Sequence, residues 1–160
     1  MDKQIIQGNI RPLLSNDARI RLAYLFGSQA SSKTGPKSDI DLGILFSQHV
    51  DTQQASSDVA LSVAKVLPGK SVDIVSLNIA PVELAYAVIA QGVCLYRVNE
   101  AERVEFEAQV LGIYGDYLPV LRAMCRDILV GEKHGQRVQR YREAFRRTER
   151  TLSQIRASQK

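Results

Sequence analysis

The hydrophobic positions change period several times along the chain, and each change marks an element. Ile5, Ile6, Ile10, Leu13 and Leu14 recur at helical spacing over residues 3–15, where Gly8 and Pro12 interrupt the regularity. Residues 20–26, IRLAYLF, form a β-favouring run that stops at Gly27-Ser28. The polar stretch 29–37 contains Gly35-Pro36 and reads as a short helical turn followed by a loop. Ser38-Asp39 then enters a second strand, residues 40–46. Ala55, Val59, Ala60, Val63, Val66 and Leu67 return to the helical period before Pro68-Gly69, so a helix crosses to a third strand at residues 71–76. Pro81 suits the first turn of a helix running to Gln91, Gly92 ends it, and residues 93–96 make a fourth strand.

Beyond Asn99 the helical period dominates, with breaks expected at Gly112, Gly115 and Pro119 and a loop at residues 131–135. A last helix carries Val138, Tyr141, Phe145, Thr148, Leu152 and Ile155 at alternating steps of three and four, the seam of a helix that packs on a helix. The pattern predicts an α/β (α+β) fold: a small mixed sheet flanked by helices in residues 1–100, and a helical C-terminal region in residues 101–160.

Composition narrows the class without deciding the chemistry. Apolar residues at 45% and charged residues at 24% are those of a globular chain, which excludes disorder and fibrous repeats. No apolar run is long enough to span a bilayer and the first residues lack a signal-peptide pattern, so the cytoplasm is the expected compartment and no membrane partner is expected. Cys94 and Cys125 lack CxxC spacing and clustered histidines, so both are expected as buried small hydrophobes. The net charge of +4 is uneven: residues 122–160 carry +7 and the remainder −3. A basic tail on a mildly acidic body fits either an acidic partner or a solvated helix face. The sustained apolar seam favours a protein over nucleic acid, because phosphate contacts require charge alone.

The chemistry concentrates at the ends of the strands. Residues two apart on a strand share a face, so Asp39 and Asp41 converge. Two close carboxylates repel unless a cation lies between them, and magnesium is the natural one, taking one or two carboxylates plus phosphates and waters. Gly27 permits the backbone turn and close approach that a phosphate seat needs, while the Ser28 hydroxyl and the N–H groups after it donate. A short helix starting near Gln29 would add its positive end. Asp73 is the single acid of an otherwise apolar strand and should face the pair, either completing a metal site or accepting a proton from an attacking hydroxyl.

Gly27-Ser28, ten intervening residues, then Asp39-Ile40-Asp41, with a later strand acid, resembles the signature of the DNA polymerase β-like nucleotidyltransferases. Length and layout over roughly residues 10–130 resemble the minimal nucleotidyltransferases, in particular the antitoxin half of HEPT/MNT toxin–antitoxin pairs. The resemblance implies that Asp39 and Asp41 hold Mg2+, that Asp73 is the third acid and base, and that Gly27 and Ser28 hold the nucleotide's phosphates. It also implies ATP as donor and a tyrosine of a cognate HEPT-domain ribonuclease toxin as acceptor, silenced by adenylylation. Two rivals stand beside this reading: a nucleotidyltransferase acting on a small hydroxyl compound, and a non-catalytic antitoxin that occludes its partner. His49 and His134 lack ligand-spaced neighbours and read as surface loop residues. Lys33, Lys37 and Ser38 read as solvent-facing or strand-flanking, and Tyr24, Tyr86 and Tyr96 as packing residues.

Overall fold

The computed structural model describes residues 3–27 and 39–130. Helix α1 is Lys3–Asn16 and strand β1 is Ile20–Phe26; strand β2, Ile40–Phe46, is followed by helix α2, Thr52–Val66. Then come β3, Val72–Ser76, helix α3, Val82–Gln91, β4, Val93–Arg97, and the long helix α4, Glu100–Val130. The four strands lie in the order β3-β2-β1-β4. β1 is antiparallel to both β2 and β4, and β2 is parallel to β3. This is the small mixed sheet that the strand runs predict.

Alternation along the strands divides the core in two, because neighbouring residues point to opposite faces. On one face Ala23, Leu25, Ile40, Leu42, Ile44 and Leu95 meet Ile6, Ile10 and Leu14 of α1 and Ala55, Val59 and Val63 of α2. On the other, Leu22 and Tyr24 meet Ala85 and Val88 of α3 and Val110 of α4, with Phe26, Val75 and Phe106 packed alongside. Asp51 starts α2 by accepting from the N–H groups of Gln53 and Gln54, the capping expected of an Asp at that position. Arg19 ties the start of β1 to α2, bonding Asp17 and Asp58 at 2.8 Å each.

Three expectations need correction. α4 runs unbroken through Gly112, Gly115 and Pro119. A proline inside a helix removes one hydrogen bond and presses its ring on the carbonyl four residues earlier. In α4 that residue is Gly115, and in α1, which contains Pro12, it is Gly8. Both helices continue past the proline. Pro81 lies at the N-cap of α3 and not inside its first turn. Cys94 is half-buried and Cys125 is exposed, both as free thiols; sequence neighbours of Cys125 are apolar, but the helix turns that position outward.

A boundary between two compact units falls at Leu111/Gly112, inside α4. The turn and loop expected over residues 29–37, and the loop and seam helix expected after residue 130, lie outside the described residues.

Candidate active site

The acids belong to the sheet face that α3 covers. Ile40, Leu42 and Ile44 of β2 point toward α1 and α2, so Asp41 and Gly43 point the other way. Gly43 lies under α3 because a Cβ there would stand 2.7 Å from Cγ1 of Val88. With no side chain at Gly43, α3 closes onto the sheet directly behind Asp41. A glycine inside a strand is a sequence sign of such an approach.

Parallel pairing of β2 with β3 sets Asp41 opposite Asp73. Antiparallel pairing sets Asp41 opposite Phe26, so Gly27 follows at the very end of β1. Asp39 precedes β2 by one residue and is exposed, as is Asp73, while Asp41 is half-buried. Burial pushes the Asp41 carboxyl above the usual carboxylate range, and the charges of Asp73 and Asp39 push it further. All three acids therefore share one electrostatic neighbourhood, as the strand spacing predicts. Ser28 lies outside the described residues, as do Lys33, Lys37, Ser38 and His134.

Gly27 has φ +68°, the left-handed region that side chains rarely adopt. A Cβ built there would meet Oδ2 of Asp41 at 2.1 Å. The Asp41 carboxylate thus lies against the backbone of the turn expected to seat a phosphate. The missing side chain at Gly27 serves two purposes, permitting the turn and admitting the carboxylate. Only the first was legible in the sequence.

The donor set suits a hard divalent cation: the groups are all carboxylate oxygens, and Asp41, whose proton affinity is raised first by burial and then by the charges of Asp73 and Asp39, feels a repulsion that a cation would relieve. Among the described residues no group of three or more His, Cys, Asp or Glu side chains is placed so as to hold a metal ion. Magnesium is usually held by only one or two protein carboxylates together with phosphates and waters, so its usual coordination does not ask for three protein ligands.

Two other expected features can be placed. His49 is exposed in the loop after β2 with φ +65°, distant in role from the acids. Tyr24 is a core residue at 2% exposure whose hydroxyl donates to Glu107 of α4 at 2.8 Å. A shallow cleft of about 340 Å³ lined by Leu13, Asp17, Arg19 and Val59 opens on the opposite sheet face. Its Arg19 is already bonded to Asp17 and Asp58, so it offers no competing phosphate site.

Comparison with known proteins agrees with this fold. The chain is 28% identical over 120 residues to the protein adenylyltransferase MntA of Shewanella oneidensis, covering 75% of this chain and 84% of that protein. It superposes on a chain in the structure of a tri-AMPylated Shewanella oneidensis HEPN toxin in complex with MNT antitoxin, with TM-score 0.64 and 26% identity, covering 80% of this chain and 99% of that one. A toxin–antitoxin crystal structure with AMP-PNP gives TM-score 0.67 at 27% identity, over 77% and 98% of the respective chains. The family model described as polymerase beta, nucleotidyltransferase, matches residues 8–101, a span that holds all four strands, Gly27 and the three acids, and on that match the chain belongs to the polymerase-β nucleotidyltransferase family.

Proposed function

We propose that this chain is a magnesium-dependent protein adenylyltransferase that transfers AMP from ATP to a tyrosine hydroxyl of a HEPN-type (HEPT) ribonuclease toxin and thereby neutralises it in the cytoplasm. Residues 1–100 form its catalytic core and residues 101–160 its helical region. One observation carries the reading: Asp41 stands opposite Asp73, with its carboxylate against the Gly27 backbone and its proton affinity raised by burial and, after it, by both neighbouring acids. A metal seat adjoining a phosphate seat is what displacement at a nucleotide phosphorus requires. The names of the similar proteins, an adenylyltransferase and an antitoxin complexed with an AMPylated toxin, support the choice of acceptor.

Asp39 and Asp41, with Asp73 as a further ligand, would hold Mg2+, which when bound neutralises phosphate charge and fixes the triphosphate. Gly27 and Ser28 grip the phosphates through backbone N–H groups and the Ser28 hydroxyl. Asp73, exposed at the start of β3, takes the proton from the acceptor hydroxyl. The acceptor oxygen then bonds to the α-phosphorus, the bond from that phosphorus to the bridging oxygen breaks, and pyrophosphate leaves toward the Gly27-Ser28 turn. Positioning and charge neutralisation supply most of the rate.

The test is intact-mass analysis of a cognate HEPN-type toxin after incubation with this chain, ATP and Mg2+. Whole adenylyl additions on a tyrosine, abolished by EDTA, are expected. A toxin silenced without any mass change would instead make the chain an occluding antitoxin.

A further inference from the structure

The glycines among the described residues fall into two kinds. A methyl group added at Gly8, Gly69, Gly112 or Gly115 would meet open space. At Gly27, Gly43 and Gly92 it would collide: with Oδ2 of Asp41, with Cγ1 of Val88 at 2.7 Å, and with the Val88 carbonyl oxygen at 2.3 Å. These three lie together, where the end of β1, the start of β2 and the end of α3 surround Asp41. Gly92 has an extended backbone, φ −78° and ψ 164°, so space and not conformation calls for a glycine there. Elsewhere in the same layers close packing is met by alanines, Ala23 in β1 and Ala85 in α3.

Gly43 is the next residue after Asp41 on the face that α3 covers. Ordinary contact begins at 3.4 Å, so a methyl group at 2.7 Å from Val88 needs about 0.7 Å of movement. Val88 cannot turn aside cheaply, because a β-branched residue in a helix has one strongly preferred rotamer and its second methyl would already be at 3.5 Å. β2 cannot retreat, since it is paired on both edges and its opposite face, Leu42 and Ile44, is fully buried in a close-packed core. The movement therefore falls on α3.

α3 passes that movement to the site. The Gly92 N–H donates to the Val88 carbonyl at 2.8 Å, and a Cβ at Gly92 would stand only 3.2 Å from the Leu25 carbonyl oxygen. Leu25 pairs with Val93 on one side and with Leu42 on the other, and Phe26 after it pairs with Asp41. Gly27, whose backbone lies against the Asp41 carboxylate, follows directly.

We propose that Gly43 is a positioning residue of the transferase site: by letting α3 rest on the sheet with no side chain between them, it fixes the separation of the Asp41 carboxylate from the Gly27 turn. This rests on the proposed function for the reaction served, and it assigns to the site a residue that reaches it only through Val88, Gly92 and β1.

The experiment compares Gly43→Ala, Val88→Ala and the double variant in the full chain. Initial rates of toxin mass gain are measured at saturating ATP with Mg2+, and the amide resonances of Gly27 and Asp41 are followed by NMR on the chain alone. Gly43→Ala should transfer roughly 10- to 10²-fold more slowly, the scale for a misplacement approaching 1 Å, and both resonances should shift. Adding Val88→Ala removes the methyl groups in the way, so the double variant should return to the rate and resonances of Val88→Ala, even though truncating a buried valine lowers Tm. Val63→Ala, fully buried on the opposite sheet face, should lower Tm and leave both the rate and the two resonances unchanged. Wild-type rate or unmoved resonances in Gly43→Ala overturn the proposal, as does a double variant that is as slow as Gly43→Ala. If Gly43→Ala does not fold, a double variant that differs from Val88→Ala in resonances overturns it, and one that matches supports it. If wild type transfers nothing, the proposed function falls, and the resonances, read without toxin or metal, still decide the role of Gly43.

Discussion

Replacing Gly27 with alanine sets a methyl group where the Asp41 carboxylate lies. The new Cβ would stand 2.1 Å from Oδ2, whereas ordinary contact begins at 3.4 Å, so the carboxylate must retreat by about 1 Å, a displacement that can cost on the order of 10²-fold in rate. Backbone strain adds a separate effect, because φ is +68° and a side chain in the left-handed region costs roughly 1–2 kcal/mol. For a chain of this size that corresponds to a fall in Tm of roughly 2–8 °C. Gly69→Ala separates the two contributions: its φ is +82° but no atom lies within 4 Å of the added Cβ. Both variants should lose similar stability, measured by thermal unfolding. Only Gly27→Ala should lose adenylyl transfer, measured as the initial rate of toxin mass gain at saturating ATP. Equal rates in the two variants, or full activity in Gly27→Ala, would refute the claim that this glycine makes room for a working carboxylate.

Asp41→Asn should abolish transfer and raise Tm in EDTA at neutral pH. The folded protein holds the Asp41 proton more tightly than the unfolded chain does, so its stability contribution is present below the unfolded carboxylate value and lost as pH rises through the folded one. The gain in Tm should therefore grow from acid to neutral pH, and a pH-independent gain would count against the shift. Ser28→Ala should slow transfer by roughly 10²-fold, the usual cost of losing one preorganised donor; unchanged rates at low and saturating ATP would place Ser28 outside the site. Tyr24→Phe should destabilise by about 1–2 kcal/mol in urea unfolding with an unchanged m-value, since it removes a hydrogen bond to a carboxylate from a core position. A midpoint equal to that of wild type would mean the Tyr24–Glu107 bond contributes nothing.

Local spacing was enough to determine much of this protein. Period-two and helical patterns located four strands and the helices between them, and the two-residue step from Asp39 to Asp41 placed both acids on one face, because these properties depend only on covalent geometry within a segment. The same is true of Gly27 at the end of a strand. Other features depended on which segments meet, and no local pattern encodes that. Parallel pairing of β2 with β3 decided that Asp73 stands beside Asp41. Antiparallel pairing of β1 with β2 brought Gly27 under the Asp41 carboxylate, so one glycine answers both a backbone and a space requirement. The breaks expected at Gly112, Gly115 and Pro119 did not occur, and α4 runs through all three. Cys125 proved exposed, and Val104 and Leu111 unburied, because an apolar residue is covered only where another element packs against it, and that is fixed by tertiary structure.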